Sequence, residues 1–347
     1  MTVCKPYTEE TAADFRQLFE ERFPSADADI LDVFLSNPAC TDKRECGQIA
    51  YGEDGEIWGI LGVLLRHIYA GETRLIVANG VAMAVKKDCD RSFFTDFIRE
   101  TVRSFGADLF IANTTIPGSR KRLAAAIGTV DGPDSCGIIR EHPLRGRFGR
   151  LACKLLGKRC ERRKESLSEV DGLALTRELE IGDTEFNGFW DRYLAGNEGL
   201  VTSRTAEELR WVFAEGLESG ARILITARRN GELVGYAFLR RTDESAACWR
   251  IADMIALGND ERILEPLIVA AADCLRRHTP ADSFQVTGFP DRLRPLLKRH
   301  FPGEASFGFN KCVWACLSER AKTLCGDWPT ARDGWYGCPY DGDMCLI

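Results

Sequence analysis

Near its C-terminus the chain reads Gly334-Trp335-Tyr336-Gly337-Cys338-Pro339-Tyr340-Asp341-Gly342-Asp343. Trp335, Tyr336 and Tyr340 offer flat, amphipathic faces suited to a sugar or peptide, and Asp341 and Asp343 could hold its amine. The same segment reads alternatively as a strap over apolar surface. Other reactive side chains are scattered. The fourteen cysteines include no Cys-x-x-Cys pair. Cys312 and Cys316 share one face of a strand at a separation of about 13 Å. That is too far for one zinc with bonds of about 2.3 Å to sulfur. Buried thiols acting as small apolar groups are the expectation. His67, His142, His278 and His300 are spread along the chain and outline neither a metal site nor a Ser/Cys triad, so no metal is expected.

The elements that must position such residues are those of two domains, since 347 residues can build two cores. A composition of 28 % charged and 45 % hydrophobic residues is ordinary for a globular protein. The net charge of −6 supplies no overall attraction to DNA. No apolar run is long enough to span a bilayer, and Met1–Glu21 lacks the apolar core of a signal peptide, so a cytoplasmic protein is expected. One segment runs against the acidic balance. Between Arg140 and Lys164, Leu144, Phe148, Leu151 and Leu155 fall at helical spacing, with Arg147, Arg150, Lys154 and Lys158 on the other side. Residues 147–164 therefore read as a weak contact for an anionic surface, or as an interdomain connector with a solvated face.

The chain contains one unit twice. Asp54-Gly55-Glu56-Ile57-Trp58-Gly59 and Asn230-Gly231-Glu232-Leu233-Val234-Gly235 are each an Asx-Gly turn opening an apolar run with an internal Gly, a hairpin signal. In the first copy, helical stripes over 8–21 and 27–35 precede strands at 48–51, 57–66 and 78–85. A core-facing helix at 92–105, a strand at 109–112 and a helix at 119–127 follow. In the second copy, Phe186, Phe189, Trp190 and Tyr193 mark a helix, and 205–213 another. Strands at 223–227, 233–240 and 249–257, a helix at 263–277, a strand at 283–287 and a helix at 293–300 complete it. This is an α/β (α+β) pattern with one dominant, mostly antiparallel sheet per copy. It predicts domains at 1–140 and 173–326, a basic helix and polar linker at 141–172, and an irregular tail at 327–347.

The repeated unit resembles the GNAT superfamily of acyl-CoA N-acyltransferases, on those two hairpins and the strand–helix–strand after each. Residues 200–257 resemble the second halves of tandem acetyltransferase-like proteins linked to bacterial surface polysaccharides. Val201-Thr202-Ser203-Arg204, Glu208-Leu209-Arg210-Trp211, Gly235-Tyr236, the strand Ile251 to Leu257 and the terminal Asp341-Gly342-Asp343 carry that likeness.

The resemblance implies two tandem GNAT-like domains and transfer of an acetyl or other acyl group from acyl-CoA to an amine on a small molecule or amino-sugar. It puts the CoA pyrophosphate at the turn Lys86–Ser92, or at Gly258–Arg262. The first lacks glycine and the second carries Asp260 and Glu261, which repel phosphate, so the first copy is the expected donor site. Val85, Lys86, Arg91 and Ser92 would face the donor there, and Asn113 its pantetheine amides. Asp253, on the strand leading into the second turn, would be the general base; alternatively it pairs with Arg250 or caps a turn. The family's Tyr acid has no counterpart, since Ala124 and Leu296 fall at its position. A non-catalytic scaffold and a transferase using aminoacyl-tRNA are the alternatives.

Overall fold

Two eight-stranded sheets carry the fold. The computed structural model describes residues 3–24, 30–39, 46–86, 91–115, 117–132, 138–146, 163–242, 247–290, 293–308, 311–325 and 335–341. In chain order the strands are β1 (Val3–Pro6), β2 (Gly47–Tyr51), β3 (Ile57–Ala70), β4 (Thr73–Val85), β5 (Leu109–Thr115), β6 (Val130–Asp131), β7 (Ile138–Pro143), β8 (Glu165–Val170), β9 (Leu173–Glu178), β10 (Leu200–Thr202), β11 (Arg222–Arg229), β12 (Glu232–Arg241), β13 (Cys248–Ala256), β14 (Ser283–Thr287), β15 (Ala305–Gly308) and β16 (Lys311–Cys316). The first sheet runs β1-β2-β3-β4-β5-β16-β6, with β10 pairing to β3. The second runs β15-β7-β14-β13-β12-β11-β9-β8. Each sheet is antiparallel except for one pair, β4 with β5 and β13 with β14.

The repeated Gly has a packing cause. A Cβ on Gly235 would lie 2.9 Å from the Ile263 methyl and 3.0 Å from the Ile255 carbonyl oxygen. One on Gly59 would lie 3.2 Å from the Phe97 ring. In both copies the strand passes directly under its core helix, Arg91–Ser104 or Glu261–His278, and only glycine allows that approach. Phe94, Phe97, Ile98 and Val102 bury the first helix face, and Ile263, Leu264, Leu267 and Leu275 the second.

Strand exchange corrects the simple division at residues 140 and 326. β7 follows the first repeat yet sits between β14 and β15 in the second sheet. β16 lies within 173–326 yet sits between β5 and β6 in the first sheet. Arg140–Pro143, read above as the start of a basic helix, is strand; its continuation over 147–162 lies outside the described residues. Leu144 packs into the second core. The supposed linker is also strand over Glu165–Val170, because Asp171 (φ 51°) and Gly172 (φ 72°) make a tight left-handed turn into β9.

The two sheets are joined by more than exchange. β10 pairs with the end of β3, Leu200 opposite Ala70 and Thr202 opposite Ile68. The indole of Trp211 donates to the Val33 carbonyl at 2.9 Å. Just after β10, Thr205 caps the helix Ala206–Ser219. Its hydroxyl accepts from the Glu208 N–H, and the Glu208 carboxylate accepts from the Thr205 N–H at 3.1 Å and from the Ser203 hydroxyl. Thr205→Ala is expected to cost about 1 kcal/mol in urea unfolding. An unchanged midpoint would show the cap to be dispensable.

Candidate functional site

In both repeats the parallel pair is short, and the divergence beyond it is the principal feature of the site. β4 pairs with β5 only over Val77–Asn79 with Leu109–Ile111. β13 pairs with β14 only over Cys248–Arg250 with Ser283–Gln285. A bulge bends the outgoing strand in each case, opposite Ile60–Gly62 in the first and opposite Phe238–Leu239 in the second. Ala82, within the first bulge, takes φ 49°. Beyond these residues the two strands of each pair are no longer hydrogen-bonded to each other.

The tail fills the second cleft. Phe289, just past β14, donates its N–H to the Gly337 carbonyl at 2.5 Å, and the Tyr336 hydroxyl donates to the Met254 carbonyl on β13 at 2.6 Å. Gly288 (φ 67°) lets the two backbones touch, since a Cβ there would lie 2.8 Å from both Cys338 Cα and the Gly337 oxygen. Residues 335–341, expected to be irregular, therefore form a buried strap. What remains of the cleft is a cavity of about 230 Å³ lined by Tyr193, Gly199, Gly258, Asn259, Pro290 and Tyr336. In the first repeat no backbone hydrogen bond among the described residues closes the corresponding gap, and the strap reaches only its apex, where Asn79 Nδ2 donates to the Asp341 main-chain oxygen.

Beneath the strap lies a charged network. The Arg204 guanidinium grips Asp253 with Nε 3.0 Å from Oδ2 and Nη2 3.1 Å from Oδ1, and both side chains are fully buried. The Tyr236 hydroxyl donates to Asp253 Oδ2 at 3.0 Å, and Cys338 Sγ lies 3.2 Å from Oδ1. Nη1 of Arg204 donates to the Thr202 carbonyl at 2.6 Å. Burial works against the Arg204 charge, but the Asp253 carboxylate outweighs it and holds the guanidinium protonated. Burial pushes the Cys338 thiol and the Tyr236 hydroxyl far up, so both stay neutral. Both Arg66 (4.3 Å) and Arg204 (4.8 Å) lie over the Tyr340 ring, whose hydroxyl donates to the Ser203 carbonyl at 2.9 Å.

The residues expected to act fall into two groups. Asp253, Tyr336, Tyr340 and Asp341 come together in this network, with Trp335 beside them; Asp343 lies outside the described residues. Asp253 was expected to take a proton from an amine. Here its oxygens are engaged by Arg204, Tyr236 and Cys338 with no solvent access. It pairs with Arg204, not Arg250, and the geometry is that of a structural keystone. The strap's aromatic residues likewise turn inward, and of them Tyr336 lines the small remaining cavity.

The donor-facing group sits at the far end of β4. Val85 ends the strand opposite Gly59, and Lys86 ion-pairs with Glu56 across the hairpin. Arg91 and Ser92 open the next helix, Ser92 exposed; the Arg91 side chain and 87–90 lie outside the described residues. Asn113 is buried on β5, where its Oδ1 accepts from the Cys312 thiol at 3.6 Å. Sequence reasoning missed Arg66, Asn79, Arg204 and Cys338 as site residues. Arg204 and Tyr236 were within the motifs quoted above, and their apolar surroundings were the available signal. Among the described residues no group of three His, Cys, Asp or Glu could hold a metal, and no helix is long and apolar enough to cross a membrane.

Against solved structures, the chain is similar to a tandem GNAT protein from the clavulanic acid biosynthesis pathway. The TM-score is 0.54 at 16% identity, over 91% of this chain and 98% of that one. The fold is that of a tandem GNAT protein. A probable N-acyltransferase from Enterococcus faecalis superposes with TM-score 0.58 at 13% identity, covering 92% and 74% of the two chains. N-myristoyltransferase from Saccharomyces cerevisiae, solved with myristoyl-CoA, superposes with TM-score 0.54 at 11% identity, covering 91% and 80%. No protein-family model and no curated protein matches the sequence. At these identities the likeness fixes the tandem GNAT architecture, two mostly antiparallel sheets flanked by helices.

Proposed function

We propose that this tandem GNAT protein transfers an acyl group from acyl-CoA to an amine, and that the first repeat alone takes the donor. The observation that carries the reading is the asymmetry of the two clefts. The second is filled by the strap, and its turn carries Asp260, whose carboxylate already accepts the Arg262 N–H at 2.9 Å. A phosphate there would meet that negative charge. In the first repeat, β4 and β5 separate beyond Asn79 and Ile111, and the helix Arg91–Ser104 begins at the open end. An extended amide-bearing arm suits such strand edges, as an added strand would. A pyrophosphate suits a helix N-terminus, and Arg91 and Ser92 open this helix.

Acetyl-CoA at about 100 times its dissociation constant should stabilise the chain by about 2.7 kcal/mol, read as a rise in melting temperature. Titration should give one equivalent per chain. Absence of a shift with acetyl-CoA and with longer acyl-CoAs overturns this reading.

One observation favours a second reading, a binding protein without turnover. Ala124 and the buried Leu296 put no proton donor where the thiolate would leave. Acyl-CoA binding without transfer to any amine would select it. A transferase fed by aminoacyl-tRNA would call on the basic residues 147–164, of which 147–162 lie outside the described set, and would show no acyl-CoA shift. An enzyme drawing on acyl-CoA would work in the cytoplasm. The acceptor we assign is a small-molecule amine, of the kind carried by amino-sugars.

A further inference from the structure

β16 ends in a thiol, and the helix after it ends in another. Cys316 is the last residue of β16, and Cys325 is the last of the helix Glu319–Cys325. Asp108 holds the turn between them. Its main-chain oxygen accepts the Leu317 N–H at 2.8 Å, and its Oδ1 accepts the Ser318 hydroxyl at 2.6 Å. Ser318 in turn caps the helix by accepting the Ala321 N–H at 3.1 Å. The helix is thereby folded back on β16, and Ala321 and Cys325, one turn apart, are fully buried in one apolar cluster with Trp314 and Trp335. In this position the Cys316 and Cys325 side chains are hydrogen-bonded to each other, both as free thiols. Cys312, also on β16, donates instead to Asn113 Oδ1.

The two thiols differ in access. Cys325 is fully buried, whereas Cys316 is half-buried and lines a cavity of about 310 Å³ with Arg99, Arg103, Ala107, Ile127 and Leu317. That lining holds two arginines and no acidic residue, so it favours an anionic visitor. Exchange with a disulfide requires a thiolate. Burial, together with Cys316 and Asp108, pushes the Cys325 thiol up to about 12. Burial raises the Cys316 thiol as well, but its bond to Cys325 and the nearby Lys322 work the other way. Cys316 is therefore both the thiol that a solute meets and the one that ionises first.

We propose that Cys316 and Cys325 are a redox pair, oxidised to a disulfide by an anionic low-molecular-weight disulfide of the glutathione class that enters this cavity and reacts at Cys316. The Cys316 thiolate attacks one sulfur of glutathione disulfide, forming a mixed disulfide and breaking the S–S bond of the reagent. The glutathione thiolate released takes up the proton that Cys316 gave up. Cys325 then attacks the Cys316 sulfur, and its proton leaves with the second glutathione. One protein dithiol and one glutathione disulfide thus become one protein disulfide and two glutathione thiols. Neither cysteine takes part in the acyl transfer proposed above. The helix Glu319–Cys325 is the last described element before the strap and shares its apolar cluster through Trp335. The new bond would tie that helix to β16 and restrict the unfolded chain, so the oxidised protein should be the more stable form.

The test is incubation of the reduced full chain with millimolar glutathione disulfide at mildly alkaline pH, followed by blocking of free thiols, trypsin digestion and mass spectrometry. Trypsin cleaves after Arg320 and Lys322, so the two cysteines fall in separate peptides and their disulfide reads as a linked pair. Wild type should give that pair and a higher melting temperature, both reversed by dithiothreitol. Cys325→Ala, which keeps an apolar group in the cluster, should instead hold one glutathione on Cys316. Cys316→Ser should give no link, no glutathione on Cys325 and no rise in melting temperature. A wild type without the link overturns the proposal. So does a link that survives Cys316→Ser, which would place it at Cys312 of the same peptide. Glutathione on Cys325 in Cys316→Ser would reject Cys316 as the point of attack, and a linked protein with an unchanged melting temperature would reject the tether. None of these readouts depends on acyl-CoA.

Discussion

Asp253→Leu, with Arg204 left in place, is expected to destabilise the protein by about 3–5 kcal/mol, because it strands a guanidinium where no water reaches it. The pair is fully buried, and the Arg204 side chain has no alternative carboxylate at hydrogen-bonding distance among the described residues. Urea denaturation checks the size of the effect. Changing both partners, Arg204→Met with Asp253→Leu, should recover most of the loss, since burying two charges is itself costly and apolar isosteres avoid that cost. This pair of measurements also decides what Asp253 is for. A solvent-facing general base would lose turnover on mutation and leave stability alone. A large loss of stability, recovered in the double variant, establishes the keystone; unaltered unfolding in the single variant would reject it.

Tyr340→Ala carries the second large effect, about 3–5 kcal/mol, the usual range for emptying a buried aromatic site. The ring is fully buried against two guanidinium groups, so its removal also takes away two cation–π contacts. Tyr340→Phe keeps the ring and removes only the hydroxyl bond to Ser203, and should cost about 1 kcal/mol. Hydrogen exchange over Trp335–Asp341 reads the structural consequence directly. In Tyr340→Ala the strap amides should exchange faster than those of β12. Equal protection of both would mean that the strap is held by Tyr336 and the backbone alone.

The hairpins were legible because their turns need left-handed backbone: Asn230 and Gly231 take φ of 52° and 83°. The same signal at Asp171-Gly172 was overlooked, since β8 is polar and mostly exposed and shows no apolar stripe. The core helices announced themselves through their phenylalanine and leucine spacing. Strand exchange left no local trace, because β7 and β16 are short and their partners are distant in sequence. The candidate site was half legible. The tail's aromatics and Asp341 stood out as residue types, but a single sequence does not show that they turn inward, or that Asp253 faces Arg204. Asn79 looked like one more polar residue in a strand; only the register shows that it ends the β4/β5 pairing opposite Ile111.

The crossing of β7 and β16 has a consequence for how the nascent chain matures. The strand that completes the first sheet is made roughly 200 residues after the strand it pairs with. At ordinary synthesis rates that is a wait of about 10–40 s with an open β5 edge. The first sheet cannot close before the second repeat has nearly left the ribosome, whereas the strands of the second sheet all lie between residues 138 and 308.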